Sequence, residues 1–301
     1  MRSTRMRAGP LSGKRPEGVM AADEATRARL DRLAARLPEA TRPTRRRKPR
    51  VVNFFVRYFD RYFRRHMNAL RLAQWGAPPD LRDDAPVVLY TNHPAWWDAA
   101  IYILLANRHF GARANYAPID AEMLEKYGFF GRMGAYGVDL ESRKGAQDFL
   151  AASADILAHD DAAIWVAAQG RFMDVRARPL GLKPGISRLV EIAPHAQYVP
   201  VAIEYGFWEQ RGGEAFVAYG DALSGDELAG MEREARRLHL EDALTRIADR
   251  LSEDVITRDP ARFDALIEGK AGVGGIFDFT KRILARLKGE SYDPAHGRRD
   301  R

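Results

Sequence analysis

The string TNHPAWWDAA, at residues 91–100, sets His93 five positions ahead of Asp98. It follows the apolar run PVVLYT and precedes a helical pattern. Both side chains therefore fall at the C-terminal end of a strand, where α/β folds commonly place their sites. Pro94 suits the first turn of the helix. A turn of this kind brings the Asp98 carboxylate back to one imidazole nitrogen. The other nitrogen is left to take a proton from a hydroxyl, which is the His–Asp half of a triad without an enzyme nucleophile. An alcohol substrate then serves as the nucleophile and attacks a thioester directly. An isolated H-x-x-x-x-D spacing also fits a structural histidine followed by a helix-capping aspartate, the commoner origin of so short a pattern. A zinc site is the third reading, and no His or Cys cluster lies nearby in sequence to complete a tetrahedral set.

The elements that must position this pair read as an alternation of strands and helices. After PVVLYT come a helix over 98–107, a strand near 112–117, the strand AYGVDL, a helix over 145–159 and the apolar strand AAIWVAA. YVPVAIEY and EAFVAYG are further strands. The alternation implies an α/β fold with a central, mostly parallel sheet flanked by helices.

Upstream, residues 1–22 carry Arg, Gly, Pro and Ser without periodicity and read as disordered, with Met20 an alternative start. A short helix is expected over 24–37. TRPTRRRKPR follows, a dense cationic run whose prolines are expected to break any helix. Over 51–72, Phe55, Tyr58 and Tyr62 share a helical stripe with Phe59 and Phe63 beside it. Arg57, Arg61, Arg64 and Arg71 lie opposite. This is an amphipathic helix with an aromatic face and a basic face. The organisation expected is a basic arm over 1–50, a principal domain over 51–223 and a mainly helical extension over 224–301. AGVGGIFD, at 271–278, lacks the Lys-Ser/Thr of a phosphate-binding loop and reads as a flexible loop.

The chain has 301 residues, 46% of them hydrophobic, and a formal net charge of +7. The charge suggests an anionic partner such as nucleic acid, an acidic bilayer surface or a phosphorylated substrate. The absence of cysteine rules out disulfides, thiolate metal sites and a cysteine nucleophile, and fits a reducing compartment. No apolar run approaches the ~20 residues needed to span a bilayer.

Further strings follow His93 and Asp98 in a telling order. AYGVDLESRKG carries Gly137 and Arg143. AAIWVAAQGRF and LGLKPG carry Gln169, Gly170, Arg171, Lys183 and Gly185. Val199, Pro200 and Val201 form a Val-Pro-Val strand. Together with Asn92, His93 and Asp98, which match N-H-x-x-x-x-D, these blocks resemble the four motifs of the lysophospholipid acyltransferase (PlsC-like) superfamily. The resemblance spans residues 50–220. It implies acyl transfer from acyl-CoA or acyl-carrier protein to a lipid hydroxyl, with His93 as general base and Asp98 orienting it. It also implies a substrate site formed by Asn92, Gly137, Arg143, Gln169, Gly170, Arg171 and Lys183, whose cations would hold an acceptor phosphate. No metal or bound cofactor is implied. The expected setting is cytoplasmic and peripheral, on an anionic membrane inner face, with no nucleic-acid partner.

Two departures from the pattern bear on the acceptor. AAQGR replaces the usual Phe-Pro-Glu-Gly-Thr-Arg, so Gln169 keeps the shape of a glutamate but loses its charge. Lysophosphatidate is therefore not expected to be the best acceptor. Asp139 and Glu141 are expected to pair with Arg143 and make it less available to phosphate. Arg176 and Arg178 are expected on a surface loop. Trp96 and Trp97 either line an acyl tunnel or pack in the core. The alternatives are a basic nucleic-acid-binding protein, which the aromatic face of the 51–72 helix speaks against, and a catalytically silent membrane-binding relative.

Overall fold

Among the described residues the apolar runs become strands of one nine-stranded sheet. The computed structural model describes residues 22–209 and 212–269. The expectations for residues 1–21, the 271–278 loop and the end of the helical extension lie outside them. In chain order the elements are α1 (Glu24–Ala34), α2 (Pro43–Arg46), α3 (Pro49–His66), β1 (Met67–Ala73), β2 (Val87–Thr91), α4 (Asp98–His109) and β3 (Ala114–Asp120). Next come α5 (Ala121–Lys126), α6 (Phe129–Met133), β4 (Ala135–Val138), α7 (Arg143–Leu157), β5 (Ala162–Ala167) and α8 (Gly185–Ile192). β6 (Gln197–Gly206), β7 (Gly213–Tyr219), β8 (Leu223–Ser224), α9 (Gly225–Ala229), α10 (Arg233–Thr257) and β9 (Phe263–Glu268) complete the described chain.

The strand order is β4-β3-β5-β2-β6-β7-β1-β9, with β8 also paired to β6. From β4 through β6 every pairing is parallel. β7 turns back antiparallel on β6, β1 runs parallel to β7, and β9 closes antiparallel on β1. Parallel strands need cover on both faces, and β2 is buried along its whole length. On one face, Tyr90, Ile164 and Tyr198 pack with Leu30 of α1, Ile156 of α7, Leu189 of α8 and Leu244 of α10. On the other, Leu89, Trp165 and Val199 pack with Phe63 of α3 and Ile101 of α4. The C-terminal half of α10 covers β7 and β9 through Ala248, Leu251 and Val255.

The N-terminal region departs from expectation in two ways. Pro43 and Pro49 do not break helices. Each occupies the first turn of one, where the missing N–H is an orphan anyway and the fixed φ is already helical. The amphipathic helix ends at His66, not near residue 72. Residues 67–73 form β1, inserted between β7 and β9. Leu70 and Leu72 fit a helical stripe as well as a strand, and pairing with the open edge of β7 and with β9 decides the matter. Arg71 then turns to an ion pair with the buried Glu214 and stacks over Trp208, 5.1 Å from its ring centre. Pro94 likewise precedes the helix, because α4 starts only at Asp98.

Candidate active site

Thr91 ends β2, and the loops after β2 and β5 meet beyond the same end of the sheet. Ala168 N–H donates to the Thr91 carbonyl (3.0 Å), and Met173 N–H donates to the His93 carbonyl (3.0 Å). His93 N–H donates to Gln169 Oε1 (2.7 Å). On the other side, Asn92 bridges to β6. Its Nδ2 donates to the Ile203 carbonyl and its Oδ1 accepts from Ile203 N–H, both at 2.8 Å. The backbone of His93 is thus pinned from both neighbouring strands, and its imidazole has a fixed starting point.

Asp98 opens α4 and is fully buried. A helix N-terminus favours its negative charge. Its Oδ2 lies 2.6 Å from His93 Nδ1 and also accepts from Ala95 N–H at 3.3 Å. Its Oδ1 accepts from the Tyr205 hydroxyl at 2.6 Å. Burial, reinforced by the Asp98 charge, pushes the Tyr205 phenol well above its ordinary range, so it stays protonated and donates. The carboxylate facing Nδ1 holds the ring proton there and turns the Nε2 lone pair outward. The His93 side chain is 22% exposed, and its Nε2 makes no hydrogen bond to a described residue. The Phe172 ring lies against the imidazole at 4.4 Å between centres. A hydroxyl delivered to Nε2 would meet a base whose opposite side is already backed by a buried carboxylate.

No family model matches the chain, and no curated protein matches it. Among solved structures it is similar to the 1-acyl-sn-glycerophosphate (LPA) acyltransferase PlsC from Thermotoga maritima. The identity is 13%, the match covers 67% of this chain and 78% of that one, and the TM-score is 0.45. A likeness of that size leaves the chemistry of the site to its own residues.

The motif cations lie along the same end of the sheet, in the segments that follow β4 and β5. Arg143 starts α7, Arg171 follows Gly170, and Lys183 precedes α8. All three are exposed and form no ion pair or side-chain hydrogen bond with a described residue. The expected pairing of Arg143 with Asp139 or Glu141 is not formed. The Asp139 carboxylate instead accepts from Glu141 N–H at 2.9 Å and bonds Ser142, which holds it below its usual range. Gly170 has φ +62, which favours glycine. An added Cβ there would lie 3.1 Å from Lys183 Cγ and 3.6 Å from Leu140 Cδ1. The loops after β4 and β5 and the Lys183 stem therefore touch at this glycine. Gly137 lies close against α5, where a Cβ would meet Ala121 Cα at 3.3 Å.

Two of the expected substrate ligands face inward. Asn92 spends both amide atoms on the Ile203 backbone. Gln169 is 2% exposed, and its Nε2 donates to the Leu180 carbonyl at 2.7 Å and to Met173 Sδ at 3.3 Å. Both are positioning groups for His93 and its loop. Arg176 and Arg178 lie on the exposed 171–184 loop, paired with Asp174 and Asp249. Trp97 packs beside Phe63, whereas Trp96 is exposed. Among the described residues, no three His, Asp or Glu side chains converge as a metal-binding set.

Sequence reasoning missed Tyr205, which stands 107 residues from Asp98. The signal was the period-two run Val199, Val201, Ile203, Tyr205, which faces the α4 side of the sheet. Tyr205→Phe is expected to lower turnover about tenfold, because it removes a hydrogen bond to a charged group. The loss should fall on kcat, with KM and melting temperature little changed. A melting temperature that falls while turnover holds would reduce Tyr205 to a packing residue.

Glu204 points to the opposite face. It is buried, one carboxylate oxygen lacks a hydrogen-bond partner, and burial raises its pKa. A raised folded-state pKa gives a stability contribution that is present at acid pH and lost as pH rises through it. Glu204→Gln should therefore melt like wild type in acid and above wild type near neutrality. A gain independent of pH would refute the assignment.

Proposed function

We propose that this chain transfers a fatty acyl group from an acyl thioester, acyl-CoA or acyl-carrier protein, to a hydroxyl of a lysophospholipid or other lipid-like acceptor. The observation that carries the reading is His93 held by a buried carboxylate on one nitrogen while the other faces outward, with no hydroxyl of a described residue bonded to it. A substrate hydroxyl is the nucleophile that suits this arrangement. His93 Nε2 takes the proton as the acceptor oxygen attacks the thioester carbonyl. Asp98 stabilises the imidazolium, the C–S bond breaks, and the proton passes to the departing sulfur. The unpaired Arg143, Arg171 and Lys183 suit a phosphate on the acceptor or the donor. The motif order described above points to the same chemistry.

The membrane half of the proposal rests on α3. Phe55, Phe59 and Phe63 turn toward the protein, with Phe55 stacked on Phe129 at 4.7 Å. Phe54 and Tyr58 remain 64% and 48% exposed, set among Arg50, Arg57 and Arg61. Aromatic rings flanked by arginines suit the headgroup boundary of an anionic bilayer. No helix among the described residues is long and apolar enough to cross a membrane. Deletion through residue 72 would remove β1 from the sheet, so substitution is the cleaner probe. Phe54→Ala/Tyr58→Ala is expected to reduce flotation with anionic vesicles while sparing turnover of short-chain soluble substrates. Undiminished flotation would place membrane contact elsewhere.

The enzymatic reading is tested by incubating purified protein with acyl-CoA or acyl-carrier protein and a panel of lysolipids and hydroxylated lipids, with products read by mass spectrometry. A new ester is the expected result. No acyl transfer from either donor would overturn it.

A further inference from the structure

A second cluster of cations lies away from His93, where α2, the start of α3 and α6 meet. Arg46, Lys48 and Arg132, with Gly128 and Phe129, line a cavity of about 580 Å³. It is open to solvent on one side, and no carboxylate is among its lining residues. Arg46 and Arg132 form no ion pair or side-chain hydrogen bond with a described residue. Lys48 Nζ donates once, to the Arg45 carbonyl at 3.1 Å, and keeps two protons for other partners.

The convergence is built into the backbone. Lys48 N–H donates to the Arg132 carbonyl at 2.8 Å, tying α6 to the α2–α3 link. The Arg46 guanidinium packs against Gly131, where an added Cβ would stand 2.5 Å from Nη2 and 2.7 Å from Cζ. Only glycine leaves that seat open. The neighbouring Arg42 and Arg47 each bury an Nε that has no hydrogen-bond partner among the described residues, and Arg47 stacks over Tyr116, 5.7 Å from its ring centre.

We infer that this cavity binds the phosphate group of an anionic phospholipid headgroup, at a site separate from the candidate active site. Three convergent cations supply the charge-assisted donors that phosphate oxygens accept. The cavity's surroundings favour a lipid over a free anion. Phe129 forms part of its wall, exposed Met123 and Tyr127 lie just before it in sequence, and the Phe55–Phe129 stack joins it to exposed Phe54. A phosphate seated here would have an apolar lip beside it for its acyl chains. The inference rests on the membrane reading of α3 and not on acyl transfer.

The test uses the full chain and short-chain phosphatidylglycerol below its micelle concentration, with binding read by calorimetry. Inorganic phosphate is titrated in parallel. Wild type should bind the lipid and bind phosphate much more weakly. Arg46→Ala/Arg132→Ala should weaken lipid binding about 25-fold, taking roughly fivefold per cation. Gly131→Ala should weaken it as well, by displacing the Arg46 guanidinium, with little change in melting temperature because the clash falls on a flexible side-chain end. The control Arg29→Ala/Arg32→Ala removes the same charge from exposed positions on α1 and should bind nearly as wild type. Equal losses in both double variants would overturn the site in favour of diffuse charge. Equal binding of phosphate and lipid would overturn the lipid assignment. Vesicle flotation that persists without monomer binding would overturn the cavity while leaving the membrane reading of α3 standing.

Discussion

His93→Ala is expected to lower acyl transfer by about 10²–10⁴-fold, the typical contribution of a general base, with little change in melting temperature. The fold should tolerate the loss because the imidazole is partly exposed and its hydrogen bond is to Asp98. The carboxylate left behind keeps two donors, the Ala95 N–H and the Tyr205 hydroxyl. Turnover collapses for a separate reason: nothing else is held with an outward lone pair at that position. Asp98→Asn should approach the same loss by another route. An amide would offer its carbonyl to only some of the three donors now converging on the carboxylate, and it would not stabilise an imidazolium. Purified variants assayed at saturating acceptor, alongside their melting curves, decide the matter. Near-wild-type turnover in His93→Ala would end the mechanism.

Gln169→Glu should act on stability and on every acceptor alike, in place of the reordered preference that the motif departure suggested. The side chain is buried, and its amide donates to the Leu180 carbonyl while its carbonyl oxygen holds His93 N–H. A glutamate keeps the second bond but sets an oxygen against the Leu180 oxygen. Leaving that carbonyl without its donor costs about 1–3 kcal/mol, and burying an unpaired charge costs more. The melting temperature should therefore fall at neutral pH. It should recover in acid, where a protonated glutamate donates again. The sign follows from burial: the folded-state pKa of the new group is raised, so its stability contribution is present below the ordinary carboxylate range and lost as pH rises. Turnover should drop for all acceptors together, because the His93 loop shifts. A variant that melts like wild type and reorders the acceptor panel would return Gln169 to the substrate.

The parts of the site that read directly from sequence are those carried on one continuous segment. A buried strand, a His at its end and an Asp opening the next helix leave little freedom, and the structure joins them. Parallel strands such as AAIWVAA announce themselves because both faces must be apolar. Long-range geometry was less legible. Tyr205 reaches Asp98 from a different strand, and no local spacing encodes that approach. The inward turn of Asn92 and Gln169 was hidden because a motif names residue types without saying which face they take. The boundary between α3 and β1 was hidden as well. MNALRLA satisfies both periods, and the partners that select the strand lie far along the chain. The prolines misled because the residue type that stops a helix in its interior starts one in its first turn.

The place of β1 in the sheet also bears on the order in which the molecule assembles during synthesis. Among the described residues β1 is the first strand to leave the ribosome, yet Met67 pairs with Gly213 and Ala73 with Phe263. The parallel core of β2, β3, β4, β5 and β6 can close while β1 still has no neighbour. Contacts at such sequence separation form late and slowly. Until then an apolar strand and the aromatic helix before it hang together on the nascent chain, in the form most prone to self-association.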